Sequence, residues 1–149
     1  MRAGLVVLAA LLIASPTGRA VVAQPTKCSK ADFESVVDEA GDALRALAQQ
    51  NTPPFQAKLR QLKTKRGWSD EQFLAEAEPL VRDETIALFD RKSDELVSRI
   101  TSAGQSGAGV EAPDCALLTS LRASMATLVE TQKAKWAYMF DKIENELRK

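Results

Sequence analysis

Residues 114–149, DCALLTSLRASMATLVETQKAKWAYMFDKIENELRK, decide the fold. Leu118, Leu121, Met125, Val129, Gln132, Trp136, Phe140, Ile143 and Leu147 recur at steps of three, four and four residues, the 11-residue period of a nearly straight helix. No proline or glycine interrupts them. At about 1.5 Å per residue, such a helix is roughly 50 Å long and needs apolar partners along its whole length.

The partners lie upstream. Over residues 29–50, Phe33, Val36, Val37, Ala40, Leu44 and Leu47 share a helical face, with Ser29 as N-cap and Asp32 three residues on. Asn51-Thr52-Pro53-Pro54 is expected to stop that helix, since proline donates no N–H and restricts the residue before it. A short helix follows over residues 54–66, with Phe55, Leu59 and Leu62 apolar and Gly67 suited to the C-terminal turn. Ser69 and Gln72 form the pattern of a capping box, with Trp68 and Phe73 placed as a hydrophobic staple. Pro79 is expected to divide the next helical stretch into residues 70–78 and 79–102. Val81, Leu88, Phe89, Leu96 and Ile100 share a face of the second part, and the glycine-rich residues 103–112 form a flexible loop. Strand patterns are nearly absent. The expected fold is all-α, a small bundle of three long helices plus a short helical hairpin cap, closed by one disulfide.

That disulfide joins Cys28 and Cys115. Two cysteines in an exported chain pair most simply with each other, whereas redox pairs usually sit as Cys-x-x-Cys. A bridge requires the two Cα atoms within about 7 Å, so the first and last long helices must start at the same end and run parallel. The chain then runs up, forms the cap from residues 54–78, runs down, and runs up again.

Export is read from the N-terminus. Arg2 precedes an apolar run at residues 3–14, a Ser-Pro-Thr-Gly break, and small residues at Val21-Val22-Ala23 that suit cleavage after Ala23. The expected organisation is a cleavable signal peptide at residues 1–23 and one helical domain at residues 24–149, working in the periplasm or outside the cell. The apolar run is too short for a stable membrane span of roughly 30 Å.

Composition narrows the chemistry. Removing Arg2 and Arg19 from the 20 basic residues leaves 18 against 20 acidic ones, so no basic excess exists to neutralise nucleic-acid phosphates. Histidine is absent, which removes the commonest general base and metal ligand. No nucleophile elbow, dinucleotide or phosphate loop, calcium loop or haem motif is present, so no catalytic residue, metal or cofactor is expected. Glu76, Asp83, Glu84 and Asp90 could in principle hold a hard cation, but read first as a solvated charged face. Lys92 and Gln132 interrupt apolar stripes; they could meet and fix register, but a lysine there more often carries its ammonium out to solvent.

Three of the chain's eight aromatic residues fall within five positions, at Trp136, Tyr138 and Phe140, with Met139 between them. They read first as cover for the cap, and otherwise as an interaction surface, where Trp, Tyr and Met are enriched. The expected function is that of a non-enzymatic protein-interaction or adaptor module, with an exported or membrane protein as partner. The alternative is a carrier or sensor for a small apolar ligand, held between bundle helices in a cavity lined by Phe55, Phe73 and Phe89.

Overall fold

The computed structural model describes residues 27–111 and 114–149, with Ala108 as backbone only. The expected signal peptide lies outside the described residues. Four helices follow in order: α1 (Lys30–Arg66), α2 (Asp70–Val81), α3 (Glu84–Ala108) and α4 (Cys115–Arg148). Among the described residues all regular structure is helical, and no helix is long and apolar enough to cross a membrane.

Caps set most of the helix ends. The Ser29 side chain accepts from the Asp32 N–H while the Asp32 carboxylate accepts from the Ser29 N–H at 2.7 Å. Ser69 and Gln72 form the same reciprocal pair at the start of α2. Gly67 ends α1 at φ 65°, a left-handed conformation in which a Cβ would be strained. Asp83 and Asp114 cap α3 and α4.

Two expected breaks are displaced. Residues 29–50 and 54–66 are one helix, because α1 runs straight through Pro53 and Pro54. The carbonyls that lose their N–H partners belong to Gln49 and Gln50, both exposed, so water can serve them. Beyond the prolines, Phe55 and Leu62 are buried and Leu59 half-buried. Each proline costs a helix about 3 kcal/mol, and burying each large apolar side chain returns roughly 1.5–3 kcal/mol. Tertiary packing thus outweighs the local signal. The cap over the upper bundle is therefore α2, with the end of α1 beneath it as part of a long helix. Pro79 lies inside α2, and the chain turns three residues later, where the Asp83 carboxylate accepts from the Ile86 N–H at 2.8 Å.

The disulfide brings the Cys28 and Cys115 Cα atoms to 5.5 Å, so α1 and α4 start together. They also end together: Arg66 donates to the Glu146 carbonyl and carboxylate, each at 3.2 Å. Helix α3 runs antiparallel to both. Asp83, Asp90 and Ser93 of α3 and its cap meet Tyr138, Lys135 and Gln132 of α4, in reversed order.

Helix α4 is the spine between the other two long helices, and it divides the core in two. The lower core holds Phe33, Val36 and Ala40 of α1, Leu96 and Ile100 of α3, and Leu118, Leu121, Met125 and Leu128 of α4. The upper core holds Phe55, Leu62, Leu80, Ile86, Met139 and Ile143, with Trp68, Trp136, Tyr138, Phe140 and Leu147 packed on it. Between them lies a polar layer. Gln132 donates to the Ser93 hydroxyl at 2.7 Å, and that hydroxyl donates to the Phe89 carbonyl at 2.8 Å. Lys92 is exposed, as a solvent-seeking lysine would be, and Ser93, one residue on, takes the place facing Gln132. Within α1, Asn51 donates to the Leu47 carbonyl at 2.8 Å.

Candidate functional site

The aromatic cluster of α4 lies mostly inside the upper core. Met139 is 7% exposed, and Trp136 and Phe140 meet the buried Phe55 ring edge-on at 5.9 and 5.4 Å. Tyr138 turns toward α3, where its ring lies 6.3 Å from Phe89 and its hydroxyl donates to Asp83 at 2.9 Å. Lys142 donates to the same carboxylate and to the Pro79 carbonyl. The Lys142 hydrogen bond foremost, then the Ile86 N–H and the Tyr138 hydroxyl, hold the Asp83 carboxyl at about 2, below its ordinary 3.8. This network ties the α2–α3 turn to α4. The cluster thus does what covering the cap requires.

Phe55, Phe73 and Phe89 do not converge. Phe55 is 4% exposed and enclosed by α4 aromatics. Phe73 lines a groove of about 340 Å³ on α2, and Lys63 sits over its ring. Phe89 stands on the far side of Tyr138. Of the four carboxylates considered for a cation, Asp83 pairs with Lys142 and Asp90 with Lys135. Among the described residues no group of three or more acidic or sulfur side chains is placed to hold a metal ion.

A different feature stands out on the surface. Helices α1 and α3 both pack more extensively on α4 than on each other. A cavity of about 440 Å³ opens between Phe33, Glu34, Val37 and Asp38 of α1 and Thr101, Gly104 and Gln105 of α3. Further up the same seam lies a second, of about 360 Å³. Its walls are Leu44, Leu47 and Ala48 of α1 and Ser93, Asp94 and Val97 of α3. Its floor is Leu128, Gln132 and Trp136 of α4. Val97 and Thr101 are one helical turn apart, so the two cavities follow one another along the groove over the α1–α3 seam. Val37 of α1, at the lower cavity, and Val97 of α3, at the upper one, are 39% and 48% exposed.

At its lower end the groove is closed by contact. Gly107 lets Phe33 pack directly against α3, and a Cβ at Gly104 would stand 3.3 Å from Val37. The charged residues lining the groove are Glu34, Asp38 and Asp94, and neither cavity is lined by a lysine or arginine. The groove on α2 differs, since its two charges, Glu78 and Arg82, pair with each other.

Sequence periodicity placed Val37 among core residues and passed over Val97. The signal was in the doublets Val36-Val37 and Leu96-Val97. One member of each suffices for packing on α4, and the second widens the apolar stripe past what the bundle covers.

These features define a class of protein, a disulfide-closed three-helix bundle with a short capping helix and an open apolar groove between its outer helices. No family model matches the chain, and no curated protein or solved structure matches it.

Proposed function

We propose that this protein is an exported, non-enzymatic interaction module that receives a partner protein in the groove between α1 and α3. The observation carrying this reading is the pair of exposed valines, Val37 and Val97, at successive cavities of one helix–helix seam, with the half-buried Leu44, Leu47 and Trp136 lining the upper one. Apolar side chains aligned on a concave surface gain by being covered, at about 25 cal/mol for each Å² removed from water. Export is supported by the apolar run and small-residue site of the N-terminus and by the Cys28–Cys115 bridge, which persists best in an oxidising compartment.

The test is site-specific photo-crosslinking in the exporting host, with the probe at Val37, at Val97 and, as control, at the exposed Leu88 outside the groove. One identified protein should crosslink from 37 and 97 but not from 88. Crosslinks confined to 88, or none at 37 and 97, would remove the groove from the function. A retained small molecule at those positions would favour the carrier reading.

A further inference from the structure

We infer that the occupant of the α1–α3 groove is a basic amphipathic α-helix of a partner protein, which docks as the fourth helix of the bundle. This inference rests on the groove being the interaction site and specifies what fills it.

The shape points to a helix. The groove walls are two antiparallel helices, and between Glu34 and Ala48 they run about 21 Å at the helical rise. That length accommodates roughly four turns, whose apolar residues at i, i+3 or i+4, and i+7 can cover Val37 at one cavity and Val97 and Trp136 at the next. Gly41, exposed, and Ala48 and Thr101 keep the walls low, so a helix backbone can come close. Three long helices leave the outer side of the α1–α3 seam uncovered, the place where a fourth helix of a bundle packs.

The charge sets the sign of the partner. Glu34 and Asp38 stand on one wall and Asp94 on the other, with no base among the lining residues. Lys30 approaches Glu34 at 3.7 Å, and both side chains are more than half exposed, so that pair is weak. Lysines or arginines flanking an apolar helical face would meet these carboxylates on both sides. A second copy of this chain is disfavoured, because a two-fold contact through the groove brings the same acidic rims together. Phosphate groups of lipid or nucleic acid meet the same repulsion.

The test uses two synthetic helices of about 18 residues, five turns, with one leucine face and either Lys or Glu on the flanks. Binding to the oxidised protein is read by fluorescence anisotropy. The Leu/Lys helix should bind, about tenfold more weakly to Val97→Asp and about tenfold more weakly to the triple variant Glu34→Gln, Asp38→Asn, Asp94→Asn, as three exposed ion pairs would give. The Leu/Glu helix should not bind. Circular dichroism checks that the variants keep their helix content. Equal binding of both helices, lost in Val97→Asp, would overturn the basic partner and leave the groove as the site. Leu/Lys binding that ignores Val97→Asp would overturn the inference, as would a dimer in sedimentation velocity that Val97→Asp dissolves. Failure of the crosslinks at Val37 and Val97 is separate, and removes the underlying reading.

Discussion

The ring of Phe33 occupies the space that a Cβ at Gly107 would fill. Phe33 is 1% exposed and Gly107 is buried, so neither the ring nor the helix has room to yield. This contact pins the end of α3 to the start of α1, beside the disulfide that pins the start of α4.

Gly107→Ala should therefore destabilise the protein by about 1–3 kcal/mol, the range for overpacking a filled core. In an open helix the same change stabilises by roughly 0.5–1 kcal/mol, and Gly41→Ala should do so, since nothing lies within 4 Å of its Cβ position. Urea unfolding midpoints of the two variants should move in opposite directions.

Met139→Asp should unfold the upper bundle. It would place a carboxylate among Phe55, Leu62 and Ile143, and an unpaired buried charge costs about 3–5 kcal/mol. Leu88→Asp changes an exposed position and should stay within about 0.5 kcal/mol. Thermal unfolding followed at 222 nm checks both (a conventional helix wavelength, about 222 nm). A stable Met139→Asp protein would place the cluster on the surface instead.

Asp83 predicts an acid-sensitive contribution. Its folded pKa, about 2, lies below its ordinary 3.8, so the unfolded chain takes up the proton first as pH falls. The stabilisation is complete above about 4 and disappears as pH drops through about 2. Asp83→Asn keeps a residue able to cap α3 but removes the charge facing Lys142. Stability of the Asn variant should fall less than that of wild type as pH drops from about 4 to about 2, read by urea titration at each pH.

Replacing Cys28 and Cys115 together by serine should lower stability by up to about 4–5 kcal/mol, the chain-entropy value for a link across 87 residues. Reduction of the wild-type protein should lower its melting temperature to nearly the same point. Hydrogen exchange should accelerate first at the starts of α1 and α4, where the bridge holds the ends together.

Local patterns identified the long helix α4, the capping boxes at Ser29 and Ser69 and the glycine turn at Gly67, because each depends on neighbours within four residues. They misplaced the ends where distant contacts compete. Pro53-Pro54 reads as a stop, yet Phe55 and Leu62 beyond it fill the upper core against α4. Gly104 and Gly107 read as loop, yet they lie in α3 because their small size admits Val37 and Phe33. Asp83 was passed over as a cap because Pro79 drew the boundary to itself.

The sequence by itself determined the all-α class, the pairing of Cys28 with Cys115 and, through that bridge, the parallel course of α1 and α4. These follow from periodicity, from composition and from the few geometries a disulfide permits. Only the tertiary structure decided that Tyr138 and Met139 face inward and that Val37 and Val97 stay exposed at successive cavities of the α1–α3 seam. Periodicity identifies which side of a helix is apolar, but not how wide a stripe its neighbours will cover. That width depends on how far α1 and α3 part on α4, a distance set by side chains from all three helices at once.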